Sequence, residues 1–276
     1  MYNNSFSRSN PGLVVIMIDQ SGSMCLTSSK NNLELCENAA NSVNNLVNEF
    51  ILKLTTMDSD GEEIVKRSLR LVLIGYGGPN DEAYVICDKW IDEVESTYPK
   101  GQVKMTTREG TFPQDCIVVV DPIADNCTPM AWAMSIAKDK VSEWVNNPQH
   151  SSANDPVPVV INISDGAPTD SDDDVRKYAK DIMSLNIPDG NPRIFNIHIS
   201  ANSSSEIRFP NSKSEMDSES ELLYDISSEV TQDLVETIPE LLNYSIKGGE
   251  KMMMSNVSDP AVLVQFLKIG TIQKLR

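Results

Sequence analysis

Val14-Val15-Ile16-Met17-Ile18-Asp19-Gln20-Ser21-Gly22-Ser23-Met24 is an apolar run that delivers one acid and two hydroxyls into a turn. Five β-prone residues in succession predict a strand buried on both faces, and Gly22 lets the chain bend back directly after it. The bend brings the side chains of Asp19, Ser21 and Ser23 toward one point. Hard oxygen donors gathered in this way suit Mg²⁺, Mn²⁺ or Ca²⁺ rather than zinc, which prefers nitrogen and sulfur.

Further along the chain, Cys36, Ala39, Ala40, Val43, Leu46, Val47, Phe50, Ile51 and Leu54 recur at three and four, which predicts an amphipathic helix packed on a sheet. Leu69 to Tyr76 reads as a buried strand and Ala83 to Trp90 as its hairpin partner, the antiparallel edge of a mostly parallel sheet. A helix opens at Thr128 with Met130, Ala133, Met134, Ala137, Val141, Trp144 and Val145 as its core stripe. A strand from Val157 to Ser164, a helix over about 172–185 and a strand from Arg193 to Ser200 continue the alternation. The pattern predicts an α/β fold: a doubly wound, mostly parallel sheet with one antiparallel edge strand and helices on both faces. In such sheets ligands sit beyond the carboxyl ends of the strands, where the winding reverses, and Asp19 and Asp165 both fall at strand ends.

Residues 201–220 read as a polar loop and 221–246 as a further helical stretch. Gly248 and Gly249 interrupt the helical pattern, and Asp259 caps a short helix starting at Pro260, with Val262, Leu263, Phe266, Leu267 and Ile269 as its apolar face. The expected organisation is one domain over 1–246, its core at about 13–200, with 247–276 as a C-terminal helical extension. That helix is expected to pack on its own sheet, with docking to a partner as the alternative.

Acidic residues outnumber basic ones 40 to 23, a net charge of −17, which argues against binding to nucleic acid or to an anionic membrane. No segment has the length of a membrane span, the first residues carry no secretory signal, and five scattered cysteines without a Cys-x-x-Cys pair fit reduced thiols. A cytoplasmic location is the expectation. His198 alternates within Ile194-Phe195-Asn196-Ile197-His198-Ile199 and reads as a packed strand residue; His150, the other histidine, has no motif around it.

Asp-x-Ser-x-Ser after a buried strand resembles the metal-ion-dependent adhesion site of von Willebrand factor A (VWA) domains. Asp125-Asn126-Cys127-Thr128-Pro129-Met130 and Val159-Val160-Ile161-Asn162-Ile163-Ser164-Asp165-Gly166 resemble the family's second and third loops, in the family's order. The resemblance implies a VWA or Rossmann-like fold in which Asp19, Ser21, Ser23, Thr128 and Asp165 hold the ion, best Mg²⁺, with Mn²⁺ or Ca²⁺ also accommodated. It further implies that a partner protein fills the last coordination position with an Asp or Glu carboxylate. Taken one by one, Thr128 is also a helix N-cap with Pro129 at the first position, and Asp165-Gly166 a plain turn. Asp170, Asp172, Asp173 and Asp174 read as helix-start charges, while Asp121 and Asp125 are candidates to support the site indirectly.

Ser164-Asp165-Gly166-Ala167-Pro168-Thr169-Asp170, with Met17 to Met24 and Thr128-Pro129-Met130, is similar to the cytoplasmic bacterial VWA proteins of the tellurium-resistance (Y-type) group. That likeness covers about Leu13 to Ser200 and implies company with kinases, phosphatases and stress or phage-defence systems. Two positions depart from the group: Asn126-Cys127 stands where Gly-Gly is frequent, and Gln20 where a small polar residue is usual. The function expected is a non-catalytic, metal-dependent protein-interaction module. Its rivals are a metal-dependent phosphoester hydrolase and a VWA subunit of an ATP-driven chelatase-type machine. The chain has no phosphate-binding Gly-x-x-x-x-Gly-Lys loop of its own and no Ser-His-Asp or Cys-His set in motif context.

Overall fold

The computed structural model describes residues 2–107, 110–150, 152–201, 205–214, 216–271 and Leu275. The chain runs β1 (Gly12–Gln20), α1 (Leu35–Leu54), β2 (Thr55–Met57), β3 (Glu63–Val65), β4 (Leu69–Gly77), β5 (Glu82–Trp90), α2 (Ile91–Thr97), β6 (Lys100–Thr107) and β7 (Gly110–Ile117). It continues through α3 (Met130–Asn146), β8 (Val159–Ser164), α4 (Asp172–Ser184), β9 (Arg193–Ile199), β10 (Ile207–Arg208), α5 (Ser218–Asp225), α6 (Gln232–Leu242), β11 (Met253–Val257) and α7 (Pro260–Lys268).

Seven strands form one sheet in the order β10-β11-β9-β8-β1-β4-β5. The five inner strands are parallel, and β5 lies antiparallel at one edge, as the hairpin reading requires. The two-residue β10 adds an antiparallel pairing at the other edge. Every residue of β1 is buried, because helices cover both faces. Val14, Ile16 and Ile18 pack with residues of α1, α2, α6 and α7, whereas Leu13, Val15 and Met17 pack with residues of α3, α4 and α5. This is a doubly wound, Rossmann-like α/β architecture. Among the described residues no helix is long and apolar enough to cross a membrane.

Three stretches depart from the sequence reading. The expected helix over 221–246 is split into α5 and α6, because the intervening chain is pinned to the sheet: Ser228 donates its N–H to Ile194 O at 2.9 Å, and Val230 donates to Glu250 O at 2.7 Å. The region between Trp90 and Thr128, to which periodicity assigns nothing, contains α2 and a separate β6–β7 hairpin. Residues after 247, read as an extension, supply β11, which sits between β9 and β10 inside the sheet. α7 then begins at Pro260, capped by Asp259 Oδ1, which accepts the Ala261 N–H at 2.9 Å. It buries Leu263, Phe266 and Leu267 against the chain's own core, so the helix packs at home.

Connections leave β1 toward β4 on one side and leave β8 toward β9 on the other, so the winding reverses between β1 and β8. Asp19 is the penultimate residue of β1, and Asp165 follows the last residue of β8. Both acids therefore stand at the mouth of the crevice that this topology creates.

Candidate functional site

Three loops meet at that mouth, and backbone hydrogen bonds hold them together. Gly22 donates to Asn126 O at 2.9 Å and Asp125 to Gln20 O at 2.9 Å, which ties the β1 turn to the loop before α3. Thr128 N–H donates to Thr169 Oγ1 at 2.9 Å, and Thr169 N–H returns a bond to Thr128 O at 3.0 Å, which clasps that loop to the one after β8. Gly77, at φ +98°, lets β4 pass under the junction: a Cβ there would lie 2.8 Å from both Cys127 O and Ser21 N. Gly77→Ala is expected to lower stability by about 1–3 kcal/mol in chemical denaturation, from strain and crowding together. A loss below about 0.5 kcal/mol would mean that the junction yields freely.

Four of the five candidate residues join in one chain of contacts. Asp19, fully buried, accepts the Ser21 N–H on Oδ1 at 2.9 Å and the Ser164 hydroxyl on Oδ2 at 2.6 Å. Ser21 Oγ lies 3.1 Å from Ser23 Oγ, and Ser23 Oγ donates to Asp165 Oδ1 at 2.9 Å. Thr128, also buried, stands on the adjoining loop, but its hydroxyl makes no hydrogen bond to the other four. The expected N-cap role of Thr128 is not what the structure shows. The N-terminus of α3 is met instead by Asp170, whose carboxylate accepts from Ala131 N at 3.1 Å and Trp132 N at 3.2 Å. The reason is geometric: Pro129, at the N-cap, has no side-chain acceptor to offer, and the clasp with Thr169 turns Thr128 outside the helix. Its hydroxyl is left without a capping task.

Asp172, Asp173 and Asp174 lie in the first turn of α4, as expected, with Ser171 Oγ capping the Asp174 N–H at 3.2 Å. Asp125 acts through its backbone, which bonds Gln20 O and accepts from Gly78 N, while Asp121 is exposed and its charge reaches Tyr84. The two departures from the tellurium-resistance pattern have physical roles. Asn126 adopts the left-handed conformation (φ +59°) that favours glycine, and its amide donates to Gly78 O at 2.9 Å, fixing the loop. Gln20 accepts the Tyr84 hydroxyl at 2.7 Å and so braces β1 against β5.

Electrostatics single out the two carboxyls. Burial raises Asp19 above the ordinary carboxylate range against the pull of its Ser164 and Ser21 bonds, and burial with the Asp19 charge pushes Asp165 up to about 7. Among the described residues no lysine or arginine is a main influence on either group. The pair is short of positive charge. Oxygens on adjacent corners of an octahedron around Mg²⁺ are about 3.0 Å apart for metal–oxygen bonds of about 2.1 Å, whereas Ca²⁺ spreads them to about 3.4 Å. The Ser21–Ser23 and Ser23–Asp165 separations of 3.1 and 2.9 Å are hydrogen-bond lengths, compatible with ligands that a cation of either size would draw apart or hold. The donor set thus fits a hard, octahedral divalent cation.

Sequence reasoning overlooked Ser164, which holds Asp19, and Tyr76, whose hydroxyl donates to Asn162 Oδ1 at 2.8 Å beneath the site. Both lie in strands, where alternation alone does not separate a polar residue packed for structure from one that supports a site. His198 is packed, as expected, with Nδ1 3.1 Å from Ser255 Oγ and Nε2 3.2 Å from Asp165 O. It also lies with exposed Asp217 and Glu219 in a group whose ligand atoms are all within 4.8 Å of one another. Two residues separated from it by a loop and a helix start could not be placed there by spacing.

No family model and no curated protein matches the chain. Among solved structures, the pilus adhesin SpaC from Lactobacillus rhamnosus GG superposes with a TM-score of 0.54 at 8% identity, covering 98% of this chain and 31% of the adhesin. This chain therefore spans about a third of the protein it matches. The VWA domain of SpRpn10 gives a TM-score of 0.42 at 14% identity over 70% of this chain and 84% of that one. Proximal thread matrix protein 1 of the mussel byssus gives 0.47 at 11% identity over 94% and 47%. At these identities the adhesin likeness speaks to the fold alone, and the other two carry no further argument.

Proposed function

We propose that the chain is a non-catalytic interaction module in which Asp19, Ser21, Ser23, Thr128 and Asp165 hold a divalent cation, preferentially Mg²⁺, with Mn²⁺ or Ca²⁺ as substitutes. The observation that carries this reading is the run of oxygen atoms from Ser21 through Ser23 to Asp165 at 3.1 and 2.9 Å, beside the buried Asp19 carboxyl, with no lysine or arginine among the described residues a main influence on either acid. Such a cation, under-neutralised by hydroxyl ligands, would accept an Asp or Glu carboxylate from a partner protein. The chain's part is to present the hydroxyls rigidly and to keep Asp19 dry. By the resemblance to the tellurium-resistance group, the partner is a kinase, phosphatase or ATPase component of a bacterial stress-response, signalling or phage-defence complex in the cytoplasm.

Calorimetric titration of MgCl₂ into the metal-free protein tests the premise, with saturable, near-stoichiometric uptake expected. Purification from the native host with and without EDTA tests the partner: the complex is expected to be lost with the chelator. Absence of divalent uptake by folded protein sinks the reading.

A second reading, a metal-dependent phosphoester hydrolase, draws on His198, Asp217 and Glu219 beside Asp165. Both His198 nitrogens already have partners, which weighs against a base role. Turnover of a phosphoester with Mg²⁺ or Mn²⁺, abolished by Asp19→Ala, would favour the enzyme over the module.

A further inference from the structure

A cavity of about 190 Å³ opens at the other end of the molecule, between the C-terminal half of α3 and the edge of the sheet. Leu13 and Val72 form part of its apolar lining, near the amino ends of β1 and β4. Leu13 and Asp19 are six residues apart on one strand, so about 20 Å separates the cavity from the candidate cation site. The two are physically distinct.

The lining combines three features. Indole surface comes from Trp90 and Trp144, whose ring centroids are 5.9 Å apart, and the His150 imidazole stacks on Trp144 at 3.6 Å and 8°. His150 is 7% exposed and lines the cavity, yet among the described residues its Nδ1 has no hydrogen-bond partner. A buried polar atom without a partner is rare in folded proteins, and here it marks a ring held in place by its stacking on Trp144. Finally, one carboxylate serves two cations: Asp88 accepts from Arg70 Nε at 2.7 Å and from Lys140 Nζ at 2.8 Å. Those two bonds hold the Asp88 carboxyl below its ordinary range against the effect of burial, so it stays ionised and the triad carries one surplus positive charge. Glu143 also lines the cavity but is exposed, where water screens it.

Apolar lining, aromatic surface, a few convergent polar groups and a surplus charge are the ingredients of a small-molecule site. We infer that this cavity binds a flat aromatic anion, its ring against the Trp90 and Trp144 indoles beside the His150 stack and its negative charge toward Arg70 and Lys140. An aromatic carboxylate and an aromatic phosphate share this chemistry. Arg70 and Lys140, each already bonded to Asp88, are held in place to receive the charge.

The test uses the full chain carrying Trp132→Phe. Trp132 is half exposed and does not line the cavity, so the two remaining indoles both report on it. Benzoate and phenyl phosphate serve as anionic probes, benzyl alcohol as the uncharged ring and acetate as the charge without a ring. Saturable change in tryptophan emission, with matching heat in calorimetry, is expected for benzoate or phenyl phosphate at sub-millimolar Kd; benzyl alcohol and acetate should bind at least about tenfold more weakly. Benzoate and phenyl phosphate separate carboxylate from phosphate as the favoured anion. His150→Ala and Lys140→Gln should each weaken binding by about tenfold while circular dichroism stays unchanged, and EDTA should have no effect, which separates this site from the cation reading.

The inference is overturned if no probe saturates, if benzyl alcohol matches both anions, or if both variants bind like their parent. Should either variant fail to fold, the ranking of the four probes on the parent still decides.

Discussion

Asp19→Asn is expected to abolish divalent uptake and, in the absence of metal, to make the protein more stable. Asp19 is buried with a raised carboxyl pKa, and its charge helps push Asp165 up to about 7 from an ordinary value of 3.8. Between those two values the metal-free folded state binds more protons than the unfolded chain. Its stability is therefore full below the unfolded pKa and falls as pH rises toward about 7. Asp165 is partly exposed, so after solvent screening the loss amounts to about 2 kcal/mol.

Asparagine keeps the oxygen that accepts the Ser21 N–H, and the Ser164 hydroxyl can turn to accept from the new amide. The variant removes a desolvated charge at little steric cost. Above about pH 8 without metal, it should exceed wild type by about 1–3 kcal/mol in urea denaturation, with the difference vanishing near about pH 4. Saturating Mg²⁺ should reverse the ranking: wild type gains about 2.7 kcal/mol at a hundredfold excess over Kd, and the variant gains almost nothing. If Asp19→Asn destabilised the metal-free protein at both pH values, the carboxylate would be a structural strut and the cation reading would fail.

Phe266→Ala is expected to cost about 3–5 kcal/mol, enough to remove a large part of the stability of an ordinary domain. The ring has no exposed surface and meets Phe195 of β9 edge-on at 6.2 Å and Phe209 at 5.8 Å. Removing it leaves a cavity under β9, next to the inner strand β11. Leu52→Ala on α1 provides the control, because that side chain is 73% exposed and its loss should change stability by less than about 0.5 kcal/mol. Equilibrium denaturation of both variants checks the pair. A cost below about 1 kcal/mol for Phe266→Ala would show α7 to be peripheral to the core.

That second expectation exists only because of how the tail folds back into the sheet. The apolar face of α7 is visible in Val262, Leu263, Phe266 and Leu267, and so is its Asp259 cap. β11 is not. Met253-Met254-Ser255-Asn256-Val257 has neither clear alternation nor β-branched enrichment, and it becomes a strand through its pairing with β9 and β10. The break between α5 and α6 has the same origin, in bonds to Ile194 and Glu250 that are remote along the chain.

Local sequence was enough to specify the alternation of strands and helices, the buried β1 and the placement of Asp19 and Asp165 at strand ends. Each of these rests on periodicity and on turn chemistry, which act over a few residues. Only the folded chain could settle that Asp170 rather than Thr128 meets the start of α3, that Ser164 holds Asp19, and that Trp90, Trp144 and His150 line a common cavity. Those outcomes depend on which distant segments compete for the same donor, acceptor or void, and no local pattern encodes the winner.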